Sequence, residues 1–292
     1  MKVLNIIISL VFLIIIISCE EEDPNFKPLK LGTFNIEWLG DSINDRVDRN
    51  QEDYELIAEV IKFADFDLVG LQEIENKDAL DILMQFLPKY KCYVGRNGSQ
   101  QNLAVIYKDF IEIKLIGEYM PLSIVRDRHR PGLVLEAKKG NFDWIMMIVH
   151  FKASSRWDNT PEKKANSYEI RRKQAEIANR WVDSILNIGK EKDVFLLGDF
   201  NETPKRKKNN TIIPLITNKK LHFLTGNLKS CKYKRLYSID HIVCSESAYQ
   251  RFQHNSENQI NLYSMYDDEQ TGKISDHCPI ITLFEVRSPD ND

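Results

Sequence analysis

Several apolar runs in this chain end in polar groups that a buried strand has no ordinary reason to carry. In "VFLLGDFNETP" the run Val194–Leu197 meets Gly198 and then presents Asp199 and Asn201, with one residue between them. "TFNIEWL" sets Asn35 inside an apolar stretch, "DLVGLQEIEN" ends one in Glu73, and "WIMMIVHFKA" delivers His150 after residues that are nearly all apolar. "SIDHIV" places Asp240 with Ile239 and Ile242 around it, and "ISDHCPI" puts Asp276 and His277 directly before a final apolar run. Each motif alone has a plain structural explanation. Gly, Asp and Asn make turns, and a lone His after an apolar strand is commonly a hydrogen-bonded core residue. The joint pattern is different, because burying a polar group without a partner is costly. Groups of this kind gather where they share a metal ion, a phosphate or a proton.

The residue types agree on one chemistry. Glu73 and Asp276 are hard oxygen ligands suited to Mg²⁺, with Mn²⁺ an alternative. A cluster of Cys and His that would favour zinc is absent from the sequence. Asp199 can hold or deprotonate a water. His150 and His277 can donate to phosphate oxygens or work as acid and base near neutral pH. A carboxylate on the far nitrogen of a histidine fixes its tautomer and favours its cation, and Asp240 is the candidate. Asn35 and Asn201 add neutral donors that can hold a phosphoryl oxygen. The sum is metal-assisted hydrolysis of a phosphate ester.

Strands must deliver these groups. Strand-like runs lie at Leu31–Ile36, Asp67–Gln72, Leu103–Tyr107, Gly132–Ala137, Trp144–Phe151, Val194–Leu197, Ser238–Cys244 and Pro279–Val286. Helical spacing marks Arg49–Phe63, Lys77–Leu87 and Pro161–Leu186, the last opened by Thr160 as a cap. Two early helix–strand steps are followed mostly by strands. That order suits two sheets packed on each other with helices outside, rather than a doubly wound sheet.

The 292 residues are 42% hydrophobic and 28% charged, an ordinary globular composition, and the net charge of −3 gives no global basic field. Local basic clusters at Lys205–Lys208 and Lys229–Arg235 are either solvated loop charge or phosphate-facing. At the N-terminus, Lys2 precedes the apolar stretch Val3–Ile17, which is short for a membrane span and reads as a secretory signal. It runs into "IISC", which resembles the bacterial lipobox, so residues 1–18 are expected to be a signal peptide and Cys19 the lipidated first residue of the mature chain. An uncleaved anchor helix is the alternative. The acidic "EEED" that follows resembles tags that send some lipoproteins to the cell surface. Residues 19–28 are expected to be a tether, 29–286 one domain and 287–292 a tail. The remaining cysteines, Cys92, Cys231, Cys244 and Cys278, have no CxxC spacing, and the sequence does not pair them.

"TFNIEWL", "LQEIEN", "VHFKA", "LLGDFNETP", "SIDHI" and "SDHCPI", in this order, resemble the endonuclease/exonuclease/phosphatase superfamily over about Leu31 to Phe284. The resemblance implies a four-layer α/β sandwich of two mostly antiparallel sheets flanked by helices. It implies that Glu73 holds the divalent metal with Asn35 and Asp276 assisting, that Asp199 orients and activates water, and that Asn201 holds the scissile phosphate. His277 paired with Asp240 would act as base or as a stabiliser of developing charge. His150 matches the second histidine of the deoxyribonuclease-like branch, the acid on the leaving-group side, and Arg130 in "RHRPGLVLEA" matches a phosphate-contacting arginine. One departure stands out: that branch carries a Glu where "SQQNLAVIY" has Gln101, which would support a His150 cation less well. Lys152, Arg156, Arg171 and Arg172 could track a nucleic-acid backbone; an exposed helix start is the preferred reading of Arg171 and Arg172. The expected protein is a monomeric, extracytoplasmic, Mg²⁺-dependent nuclease that cuts DNA or also RNA. The alternatives are a phosphodiesterase or phosphatase on lipid head groups or small esters, and a binding lipoprotein without catalysis.

Overall fold

Branched and aromatic residues dominate the apolar runs, and such residues fit a pleated, half-buried surface. The computed structural model describes residues 23–126, 128–154, 157–290 and 292. The apolar N-terminal stretch, Cys19, most of the acidic "EEED" and Arg156 lie outside the described residues. In chain order the strands are β1 (Leu29–Leu39), β2 (Leu68–Ile74), β3 (Tyr90–Val94), β4 (Asn102–Lys108), β5 (Glu112–Tyr119), β6 (Gly132–Lys139), β7 (Phe142–His150), β8 (Val194–Asp199), β9 (Leu221–Phe223), β10 (Asp240–Ser245), β11 (Asn258–Gln259) and β12 (Ile280–Phe284). The α-helices are α1 (Gln51–Ala64), α2 (Lys77–Met84), α3 (Pro161–Ile188), α4 (Ile213–Ile216), α5 (Glu246–Arg251), α6 (Leu262–Met265) and α7 (Asp268–Ile274).

The strands form two six-stranded sheets, ordered β11-β12-β1-β2-β4-β3 and β5-β6-β7-β8-β10-β9. The two halves follow one plan. Each sheet has a parallel pair at its centre, β1–β2 and β7–β8, and every other pairing of the named strands is antiparallel. A parallel pair needs a crossover connection, and α1 and α3 supply the two helical crossovers. This is the expected four-layer sandwich. Leu31, Leu68, Val105, Trp144, Met146, Phe195, Ile242 and Phe284 fill the space between the sheets. α1 and α2 cover the outer face of the first sheet, where Tyr54, Ile57, Val60 and Leu80 are buried. α3 covers the second, with Ala175, Ala178, Trp181 and Val182 inward. Thr160 caps α3 as its sequence suggested, accepting a bond from the Lys163 amide. Among the described residues no helix is long and apolar enough to cross a membrane.

One position controls how the second sheet reaches the site. β8 does not stop at Leu197 but runs on through Gly198 to Asp199. Gly198 has φ +139°, and a Cβ there would lie 1.9 Å from the Val149 carbonyl oxygen of β7. Only glycine lets β7 and β8 stay in register to their last pair, His150 beside Asp199. Gly198→Ala is therefore expected to destabilise the protein by about 3–5 kcal/mol, because backbone strain and a backbone clash coincide. Urea unfolding reads this directly; a loss under 1 kcal/mol would mean the close approach is not needed.

Candidate active site

Register brings the second sheet's polar residues abreast. His150 pairs with Asp199 across the parallel β7–β8 ladder, and Asp240 pairs with Asp199 across the antiparallel β8–β10 ladder. All of them are buried. His150 Nε2 lies 3.4 Å from Asp199 Oδ2 and 3.7 Å from Glu73 Oε1. The first sheet supplies the other wall. Asn35 Nδ2 on β1 donates to Asp199 Oδ2 at 3.2 Å and to Glu73 Oε1 at 3.4 Å. Asn201 closes the third side: its backbone amide donates to Asp199 Oδ1 at 2.7 Å, and its Nδ2 donates to Asp199 Oδ2 at 2.9 Å and to the Phe151 carbonyl at 3.2 Å. Glu73 and Asn201 both sit at positive φ, 65° and 50°, a strained choice for side-chain-bearing residues that recurs at functional sites.

His277 completes the group from the loop before β12. Its Nδ1 meets Asp240 Oδ2 at 2.8 Å. Donor atoms of Asp199, Asp240 and His277 lie within 4.8 Å of one another. Burial alone would push the His277 pKa down, but Asp240, by charge and hydrogen bond, and then Asp199 and Asp276 hold it well above the usual histidine value. Burial, then the Asp240 charge, raises Asp199 to about 7 against the opposing pull of His277. His150 goes the other way. Burial, then Arg130 and His277, hold it well below the ordinary value, so it is neutral near pH 7. Its acidic neighbours, Asp199 and Glu73, both face Nε2, and its Nδ1 is buried without a hydrogen-bond partner. Gln101, at the position where the resemblance implied a Glu, accepts from Arg130 Nη1 at 3.0 Å instead. Arg130 also donates to the Phe151 carbonyl at 3.1 Å. Burial lowers its pKa while the charges of Glu73 and Asp199 support its cation, so it faces the site electrostatically.

Glu73 Oε2 is buried and has no hydrogen-bond partner. An orphaned carboxylate oxygen beside an Asn is a donor set that a hard divalent cation satisfies. Asp276 joins the site less directly. Its carboxylate pairs with Lys232 at 3.1 Å, and its backbone amide donates to Glu37 Oε2 at 2.8 Å, while the Glu37 amide donates to Asn35 Oδ1 at 3.0 Å.

Several residues that build this site were not singled out from the sequence. Glu37 lies within the quoted "TFNIEWL", two residues from Asn35, and its carboxylate was the available signal. Arg49 gives none. It is buried, and its guanidinium bonds the carbonyls of Ile36, Glu37, Trp38, Lys273 and Ile274. That holds the β1 end, where Glu37 and Trp38 have positive φ, against the segment leading to Asp276 and His277. Ser275 Oγ ties the same segment to the Asn35 carbonyl at 2.7 Å and accepts from the His277 amide at 3.0 Å. A Cys231–Cys278 disulfide fastens the basic loop carrying Lys232 to the residue after His277; Cys92 and Cys244 are free.

Arg171 requires a correction. It is not at an exposed helix start and does not face a ligand: it is buried, bonding Thr211, Ser154 and the carbonyls of Lys152 and Asn201. Its role is to hold the Asn201 turn against the β7 exit. Arg172 is exposed and paired with Glu169 and Glu176.

If Asp240 acts through His277, their losses do not multiply. Asp240→Asn and His277→Ala are each expected to lower kcat by a factor of about 100–1,000. The double variant should fall no further than the worse single one; multiplied losses would show that the two act separately.

A search of curated proteins finds no sequence match. Solved structures share the fold at low identity. An endonuclease/exonuclease/phosphatase family protein from Bacteroides thetaiotaomicron is 17% identical, covering 89% of this chain and 100% of its own, with a TM-score of 0.61. A mannosyl-6-phosphatase from the same organism is 18% identical over 87% of this chain and 98% of its own, with a TM-score of 0.59. The human Nocturnin catalytic domain is 15% identical over 88% of this chain and 94% of its own, with a TM-score of 0.62. The sequence model of one family matches residues 32–277, most of the chain and every site residue named above. The chain belongs to the endonuclease/exonuclease/phosphatase family, whose members hydrolyse phosphate esters.

Proposed function

We propose that this chain cleaves phosphodiesters by attack of water, and that its substrate is a nucleic acid outside the cytoplasm. The carrying observation is the convergence of Asp199, Asp240 and His277 within 4.8 Å beside Glu73 and its orphaned oxygen. A divalent cation, Mg²⁺ first and Mn²⁺ as an alternative, would be held by Glu73 with Asn35 and Asp276 assisting, and would supply charge neutralisation at the phosphate. The chain's own groups do the rest. Asp199 is the acceptor for the proton of the attacking water. His277, with Asp240 on Nδ1, keeps Nε2 as a donor to a phosphoryl oxygen as negative charge develops. Asn201 and Arg130 hold the phosphate from the other side. His150, neutral and with no partner on Nδ1, serves better as a neutral hydrogen-bonding group on the leaving side than as a standing acid.

One observation favours a smaller substrate. Among the described residues, of the cations that could follow a backbone, Arg171 is turned inward, Arg172 is paired, and Lys152 bonds the Ala153 carbonyl. The second reading is therefore a phosphodiesterase or phosphatase on lipid head groups or small esters. The location rests on the apolar N-terminal stretch and Cys19. The Cys231–Cys278 disulfide supports an oxidising compartment.

A substrate panel separates these readings. Supercoiled plasmid, an RNA oligomer, a synthetic phosphodiester, sphingomyelin and a sugar phosphate are incubated with Mg²⁺, Mn²⁺ or chelator. Plasmid cleavage that needs Mg²⁺ is expected, with Glu73→Ala and His277→Ala each reducing it about a thousandfold or more. Cleavage of the small diester with plasmid untouched would select the second reading. Unchanged cutting by either variant would sink the assignment of the site.

A further inference from the structure

The end of the second sheet opposite the active site collects carboxylates that the reaction does not use. Asp143 is the second residue of β7, Glu191 and Asp193 precede β8, and Asp290 and Asp292 follow β12. One carboxylate oxygen each from Glu191, Asp193 and Asp292 lies within 4.8 Å of the other two. Asp193 is fully buried, and neither of its oxygens meets a donor within hydrogen-bond distance, the nearby Ser247 easing its charge only in part. The backbone reinforces the cluster instead of neutralising it: the Asp193 amide donates to Glu191 Oε1 at 2.7 Å, the Lys192 amide donates to Asp292 Oδ2, and the Asp143 amide donates to Asp290 Oδ2 at 3.1 Å. Arg251 pairs with Asp290 at 3.6 Å and with Glu285 at 3.7 Å, and Lys138 reaches Asp143 at 3.9 Å. Burial, then the neighbouring carboxylates, lifts Asp193 to about 7 despite easing by Ser247 and Arg251, and burial with Asp292 and Asp193 lifts Glu191 to about 8.

We propose that Glu191, Asp193 and Asp292 bind a structural Ca²⁺ ion, with Asp143 and Asp290 adding negative charge around it. The donor set suits that ion: Ca²⁺ takes about six to eight oxygen ligands in flexible geometry and is held directly by carboxylates, whereas Mg²⁺ keeps several of its waters and is seldom held by an all-protein cage. The site is separate from the catalytic one. Asp193 immediately precedes β8 and Asp199 ends it, about 20 Å away at the rise of a strand. Its effect is mechanical. The ion ties the segment after β12, whose Ser288 and Pro289 carbonyls bond Arg251, to the base of the β7–β8 pair that carries His150 and Asp199.

The test uses the full chain carrying Glu73→Ala, so that binding at the catalytic carboxylate is removed. After chelation and dialysis, Ca²⁺ at about a hundredfold excess over its dissociation constant should raise the thermal midpoint by about 5 °C. Asp193→Asn should abolish that rise. Should Asp193→Asn fail to fold, Asp292→Asn, at an exposed position, should weaken Ca²⁺ binding in calorimetry at least tenfold. Absence of any Ca²⁺ shift, or a shift that persists in both variants, overturns the proposal.

Discussion

A single buried carboxylate organises this protein. Asp199 is 2% exposed and is approached by Asn35, Asn201 and His150, with Asp240 beside it in the sheet. An ionised carboxylate in such a place is costly unless donors surround it. Here the donors come from both sheets. Asn35 reaches across from β1, and Asn201 folds back from the turn after β8. The sandwich is therefore closed at its polar end by bonds to one side chain as well as by the apolar core between the sheets. Only a folded chain brings these groups together, so the site and the packing of the two layers form as one structure.

Holding that arrangement takes backbone shapes that side-chain-bearing residues avoid. Glu37, Trp38, Glu73 and Asn201 all have positive φ within or beside the site. Such strain persists only where the surroundings over-determine it. Arg49 does this for the β1 end through carbonyls on two separate segments, and Arg171 does it for the Asn201 turn. Both arginines are buried and spend their donors on backbone carbonyls and, for Arg171, on Thr211 and Ser154. They are positioning residues that touch no reacting group. The disulfide adds a covalent hold on the other flank, next to His277.

The polar strand ends and most of the strands were legible because each is a local pattern: an apolar run, a turn former, then a carboxylate, amide or imidazole. The capped start of α3 was legible for the same reason. β3 and β5 were not, because they are edge strands: "EIKLIGEY" is half exposed and mixes charge with apolar residues, which hides the period of two. β9 and β11 are too short to carry a period at all. Arg49 was invisible because its partners are carbonyls, which every residue owns. The Cys231–Cys278 pairing spans 47 residues and needed the β12 loop to be placed first. Arg171 was misread because a charged residue near a helix start is commonly solvated, and nothing local says that a turn thirty residues later will need its guanidinium.

The role of Asp199 carries the account, and Asp199→Asn tests it with almost no change of shape. The measurement is kcat on the best substrate, together with the thermal midpoint of the same preparation. The account predicts a fall in kcat by a factor of about 1,000 or more in a protein that still unfolds cooperatively, because the amide fills the same space but cannot take a proton from water. Activity within tenfold of the unsubstituted protein would contradict it.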